Sequence, residues 1–218
     1  MRFACLGSGS EGNALLVESG ATRLLLDCGF NLRETAARLA RLGRAPGDLS
    51  AILVTHEHGD HVRGVFRLAA KFGLPVWLSH GTHLHLAAAG QLPEEFHLFD
   101  THHPFTVGDL LIQPFPVPHD AREPAQFVFS DGTRRLGVLT DVGRCTPHIE
   151  AMLDGVDALV LECNHDADLL AAGPYPPALK RRVAGDYGHL SNAAAAALLA
   201  RLDTRRLQHI VAAHLSRT

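Results

Sequence analysis

At 218 residues, 46% of them hydrophobic, the chain can bury a substantial core and fits one large domain over 1–218. Its formal charge of −3 excludes a broadly basic nucleic-acid coat, leaving only a local patch, and no apolar run approaches membrane-spanning length. The four cysteines form no C-x-x-C pair, which argues against both a disulfide framework and a structural Cys-zinc site. Reduced thiols and an N-terminus, MRFACLGSGS, unlike a signal peptide lead to the expectation of a cytoplasmic protein.

Arg2 to Leu6, Ala14 to Glu18 and Thr22 to Asp27 read as strands, separated by a Gly/Ser loop over 7–13 and a turn at Ser19-Gly20-Ala21. The loop lacks the G-K-[ST] ending of a nucleotide cradle and precedes a strand, so a tight hairpin loop near a site is expected, with Ser10 and Asn13 on one wall. Asp27, at a strand end, reads either as a carboxylate orienting a ligand histidine or as an ordinary cap. Asn31 to Leu42 has capping-box spacing and an apolar stripe, predicting a helix.

The apolar run Ala51-Ile52-Leu53-Val54 then ends in Thr55-His56-Glu57-His58-Gly59-Asp60-His61. A short apolar run ending in ligand-type side chains at this density reads as a buried strand that stops at a metal site. His56 and His58, two apart, point to one side of extended chain. Asp60 and His61 are adjacent and must aim elsewhere, most simply at a second ion. A helix is predicted over Asp60 to Phe72, and a strand over Val76 to Ser79. His80, His83 and His85 follow at a helix start without carboxylate partners and read as surface residues.

The second half repeats the pattern, with strands at 96–99, 110–117, 125–130, 135–140, 157–161 and 208–212 and helices near 146–153 and 191–202. Two strand-rich halves with helices after them suggest an α+β, four-layer sandwich. Isolated polar residues just past apolar runs add three ligand candidates, His119, Asp141 and His214. With the opening motif they make seven, enough for two metals with Asp141 between them. His102 and His103 read as surface, and His148 and His209 as structural.

This order, HxHxDH followed by His119, Asp141 and His214, resembles the metallo-β-lactamase superfamily, whose fold is the αββα sandwich. The phrases GSGSEGNALLVE, LLLDCG, FPVPHDA, LTDVG, LECNHD, GPYP..LKRR, GHLSN and AHLSRT are similar to the WalJ/YycJ-like branch, relatives of ribonuclease Z and PhnP-type phosphodiesterases. The resemblance implies one metal on His56, His58, His119 and Asp141, and a second on Asp60, His61, Asp141 and His214. It further implies a bridging hydroxide as nucleophile, Asp60 orienting it, and His189 as proton donor to the leaving group. Nitrogen and oxygen ligands without thiolate suit Zn, Mn or Fe.

Lys180-Arg181-Arg182 reads either as a hold on a phosphate backbone or as a solvated basic turn. Asn164 and His165, in a segment after a buried-looking strand, are expected near the site. The resemblance implies phosphodiester cleavage in DNA or RNA, most specifically a 5′-to-3′ DNA exonuclease. A thioester, lactone or cyclic phosphodiester hydrolase on the same metals is the alternative. A dimer would suit the superfamily, although nothing in these residues argues for one. Members of the branch usually continue for some tens of residues past the last ligand, whereas this sequence stops four after His214.

Overall fold

The computed structural model describes residues 1–92 and 95–216. Arg217 and Thr218, the end of the AHLSRT phrase, lie outside the described residues. Six strands form one sheet in chain order: β1 (Arg2–Gly7), β2 (Ala14–Ser19), β3 (Thr22–Leu26), β4 (Ala51–Leu53), β5 (Val76–Ser79) and β6 (Phe96–Phe99). The second sheet holds β7 (Phe105–Val107), β8 (Leu110–Pro116), β9 (Ala125–Ser130), β10 (Arg135–Leu139), β11 (Ala158–Glu162) and β12 (His209–Ala213), in the spatial order β12-β11-β10-β9-β8-β7.

The sheets face each other because their central strands are apolar on both sides. In β3, Leu24 and Leu26 enter the core between the sheets while Leu25 packs outward. In β11, Ala158 and Val160 point to the same inner core, and Leu159 and Leu161 away from it. This alternation, with period two, lets a continuous apolar run serve two cores at once. Helices α1 (Leu32–Ala40), α3 (Val65–Phe72) and α4 (His80–Ala88) cover the first sheet through Leu39, Val65, Leu68 and Leu86. Helices α5 (Pro147–Leu153) and α8 (Asn192–Arg201) cover the second through Ile149, Leu153, Ala195 and Leu198. Two sheets between two helical layers match the expected αββα sandwich. No helix among the described residues is long and apolar enough to cross a membrane.

Phe127 lies at the centre of the inner core, fully buried and edge-on to Phe99 at 5.5 Å. Phe127→Ala is expected to destabilise the fold by about 3–5 kcal/mol, the transfer and cavity cost of a buried ring. Thermal denaturation should show this as a lower midpoint, and an unchanged midpoint would contradict the core assignment.

Three elements depart from the sequence expectations. The helix expected over 60–72 is split into α2 (Gly59–Val62) and α3. The carbonyl of His61 accepts from Cys28 N at 2.8 Å, and Gly64 N donates to Cys28 O at 2.7 Å, so segment 28–30 takes over the helix's own hydrogen bonds. A Cβ on Gly64 would lie 1.9 Å from the Phe30 carbonyl oxygen, which is why glycine stands there. The basic segment, read either as a hold on a phosphate backbone or as a solvated turn, lies in a helix, α7 (Pro177–Val183), preceded by a short α6 (Ala167–Ala172). His148 and His209, expected to be structural, are both exposed.

Candidate metal centre

Strands β3 to β6 run parallel, as do β10 to β12, so their carboxyl ends collect at one edge of the sandwich. That edge is where parallel strands deliver side chains to a site. Asp27 follows β3, the HxHxDH segment follows β4, Asp141 follows β10, Glu162 ends β11 and His214 follows β12. Asp27, Asp141 and His214 are the non-glycine residues with positive φ among those described, at 60°, 52° and 53°. Each left-handed residue turns the chain sharply off its strand, at a cost of about 1–3 kcal/mol. All three belong to this cluster.

The hydrogen bonds assign a direction to each imidazole. His61 Nδ1 donates to Asp27 Oδ2 at 2.8 Å, and His214 Nδ1 donates to Glu162 Oε1 at 2.9 Å. His119 Nδ1 donates to the Gly188 carbonyl at 3.0 Å. Thr55 Oγ1 donates to Asp27 Oδ2 at 2.9 Å, so its oxygen is left to accept from His56 Nδ1 at 3.0 Å. His58 is the reverse case, with Nε2 donating to the Asp120 carbonyl at 3.2 Å. Four rings therefore turn an Nε2 lone pair inward, and His58 turns its Nδ1 inward.

The inward atoms form two adjoining groups. The ligand atoms of His56, His58 and His119 lie within 4.8 Å of one another, as do those of Asp60, His61 and His214. Asp141 adjoins both groups: it lies within 4.8 Å of a ligand atom of His56, with Oδ2 3.4 Å from His61 Nε2 and Oδ1 3.4 Å from His214 Nε2. His56 Nε2 and His58 Nδ1 approach to 3.0 Å with both lone pairs facing the same space. Asp141 Oδ2 and His214 Nε2 are buried without a hydrogen-bond partner among the described residues. Convergent lone pairs and orphaned buried acceptors are what a divalent cation satisfies, so the residues fit a metal.

Burial disfavours the charged imidazole and holds His56 well below, and His119 below, the usual histidine range. Burial acts on His61 in the same sense, yet the Asp141 and Asp27 carboxylates outweigh it and hold His61 well above that range. His214 is likewise opposed by burial but raised to about 10 by Asp141, Asp60 and Glu162. Burial would raise Asp141, and the facing His214 and His61 charges instead hold it well below the carboxylate range. The metal-free cluster thus holds protons where cations would bind.

The seven residues expected as ligands come together, and Asp27 accepts from His61 Nδ1, the contact expected of an orienting carboxylate. Asn13 is also at the cluster, its amide nitrogen 3.0 Å from His61 Nε2 and 3.2 Å from Asp60 Oδ2. Ser10 lies on the exposed tip of the Gly/Ser loop, and Ser8 is the hydroxyl that reaches the cluster, accepting from His214 N at 2.6 Å. Asn164 donates to the His214 carbonyl at 2.8 Å, and His165 Nδ1 lies 3.2 Å from Asn164 Oδ1 behind it. Of the basic trio, Arg182 reaches the rim, its Nε donating to Asp120 Oδ2 at 2.6 Å. Lys180 is turned to the Ala171 carbonyl, and Arg181 is exposed. Glu57, inside the motif, points away and ties the 119–123 loop through Arg122 N at 2.7 Å.

Two residues of the site have roles not read from sequence: Glu162, expected only as part of the segment Glu162 to Asp166 near the site, and Asp120, not singled out. Glu162 is fully buried; its Oε1 accepts from both His189 and His214 at 2.9 Å, and its Oε2 from Val142 N at 2.9 Å and Leu190 N at 3.1 Å. With four donors on two oxygens it has no lone pair to spare and acts as a positioning residue, not a ligand. The signal available is its place at the end of the apolar run Ala158–Leu161, the same pattern that marks Asp141 and His214. Glu162→Gln puts an N–H where an acceptor is needed; turnover is expected to fall about 10- to 100-fold, as for other partners of ligand histidines. A steady-state kcat equal to wild type would remove Glu162 from the machinery.

The family described as "Beta-lactamase superfamily domain" matches residues 22–210. The chain is 37% identical over 222 residues to a Bacillus anthracis protein named exodeoxyribonuclease YycJ, covering 99% of this chain and 83% of that one. It is 34% identical over 220 residues to a Streptococcus pneumoniae serotype 2 protein named exodeoxyribonuclease WalJ, covering 99% and 82%. Among solved structures, the metallo-β-lactamase-fold protein YhfI of Bacillus subtilis superposes with a TM-score of 0.73 at 19% identity, covering 99% of this chain and 86% of that one. Family match, long-range identity and shared fold agree with the geometry: the chain belongs to the metallo-β-lactamase superfamily and is a metal-dependent hydrolase.

Proposed function

We propose that the protein hydrolyses phosphodiester bonds in nucleic acid, removing nucleotides from the 5′ end of DNA. The observation that carries this reading is Asp141 shared between two groups of inward-facing ligand atoms, with His189 held beside them on Glu162. Identity of 34–37% over nearly the whole chain to relatives named exodeoxyribonucleases supports it. His56, His58, His119 and Asp141 would hold one divalent ion, and Asp60, His61, Asp141 and His214 a second, Zn or Mn suiting the donors and Fe also compatible. Two such ions would supply Lewis acidity and lower the pKa of a bound water from 15.7 to about 7.

The remaining chemistry belongs to the side chains. Asp60, with 22% of its side chain exposed beside the otherwise buried Asp141, accepts a hydrogen bond from the attacking water and aims it. His189 keeps Nδ1 on Glu162, leaving Nε2 to deliver a proton to the leaving oxygen. Arg182, fixed by Asp120 at the rim and 57% exposed, offers its remaining guanidinium donors to a phosphate oxygen. This placement favours a nucleic-acid strand over a thioester or lactone, which needs no cation there.

A 5′-labelled DNA duplex incubated with the protein and Mn²⁺ or Zn²⁺ is the test. Release of labelled mononucleotide is the expected result. Intact duplex and intact matched RNA, with turnover of a thioester or lactone, would overturn the nuclease reading and keep the metals.

A further inference from the structure

Beside the cluster lies a cavity of about 370 Å³ that the mechanism above does not use. It is within the range of small-ligand pockets, about 300–1,000 Å³. Its walls are the Gly/Ser loop over 7–12, the Phe30 ring, Arg38, Tyr175 and Leu215. Two contacts join it to the metal cluster: Leu215 follows His214 directly, and Ser8 accepts from the His214 amide.

The lining selects the ligand. Arg38 would suggest a phosphate, but its guanidinium is engaged by Glu34 at 2.8 Å through Nε and by the Leu6 carbonyl through Nη1. Its guanidinium carbon lies over Phe30, 4.0 Å from the ring centroid, so its charge is largely answered. Glu11 on the wall opposes an anion further. Gly7 and Gly12 press against Phe30, where a Cβ on either would come within 2.6 Å of the ring, and they hold it in place. Two aromatic side chains on the walls, Phe30 and Tyr175, with serine hydroxyls of the Gly/Ser loop beside them, suit a planar heterocycle with polar edges.

We infer that this cavity receives the base of the terminal nucleotide, so that the scissile phosphate comes to rest at the metals and the strand leaves past Arg182. This deepens the nuclease reading and rests on it: a pocket that holds one base and abuts the cluster requires a strand end. Tyr175 is the specificity-determining residue, and it recognises the presence of a base rather than its sequence.

The experiment follows terminal-nucleotide release by the metal-loaded enzyme from two single-stranded oligonucleotides, one ending in an ordinary nucleotide and one in an abasic residue. For wild type, loss of the base is expected to raise KM about tenfold, the scale of one base–aromatic stack, with kcat little changed. In Tyr175→Ala the two substrates should have the same KM, a coupling that a merely misfolded variant would not produce. Ser10→Trp, filling the cavity from the loop, should also close the gap by raising KM for the ordinary end. Equal KM for both ends in wild type, or a tenfold gap that survives in both variants, overturns the pocket and leaves the nuclease reading standing. A wild type that cuts neither oligonucleotide nor the duplex overturns the nuclease reading, and the pocket falls with it.

Discussion

Asp141→Ala is expected to lose nearly all phosphodiester hydrolysis, roughly 10⁴- to 10⁶-fold, because members of a catalytic unit fail together rather than additively. The carboxylate gives one oxygen toward His61 and the other toward His214, and it also groups with a ligand atom of His56 within 4.8 Å, so it adjoins both halves of the cluster. Its removal takes a ligand from each half at once. It also removes the charge that keeps His61 and His214 protonated in the metal-free chain. Metal content measured by mass spectrometry should therefore fall from the two ions per chain proposed above to less than one. Asp141→Asn, which keeps the shape and loses the charge, should show the same direction with a smaller loss of metal. A variant that retains two ions and wild-type turnover would mean that Asp141 is not shared between them.

Much of this centre is legible in the sequence because of where strands end. A residue such as Asp141 or His214 is conspicuous because an apolar run precedes it: β10, before Asp141, is buried on both faces, whereas β12, before His214, is an edge strand whose Ile210 is 49% exposed. Glu162 sits in the same position, but a glutamate there signals a metal less strongly than a histidine or an aspartate does. Its role becomes visible only when His189 and His214, 27 and 52 residues away in sequence, converge on one oxygen. The choice between Ser8 and Ser10 is beyond the reach of sequence for a related reason. Loop composition says that a hydroxyl is near, and only the turn at Gly9, with φ of 116°, decides which one faces His214.

The helix break at Gly64 is hidden as well, since periodicity within 60–72 is unaffected by a neighbour such as Cys28 competing for its hydrogen bonds. Helix α7 is hidden by the prolines before it, although proline at a helix start is favourable. The sandwich itself rests on firmer ground, because alternation along β3 and β11 requires a packed layer on each face.

His189→Ala separates proton donation from metal binding. Its Nδ1 is committed to Glu162 at 2.9 Å and stays 3.8 Å from the nearer Asp141 oxygen. The variant should accordingly retain wild-type metal content. DNA turnover should fall about 10²- to 10⁴-fold, the usual worth of a positioned acid for a basic alkoxide leaving group. A p-nitrophenyl diester, whose phenolate leaves unaided, should be hydrolysed by the variant nearly as fast as by wild type. The contrast between the two substrates is the decisive measurement. Equal losses on both, with metal content reduced, would identify His189 as a ligand through Nδ1, and Glu162 would then be orienting two metal-bound rings. If the contrast holds, the Glu162 carboxylate serves two ends at once. One of its oxygens fixes His214 toward the metals and His189 toward the leaving group, so a single buried residue registers the metal site against the proton donor.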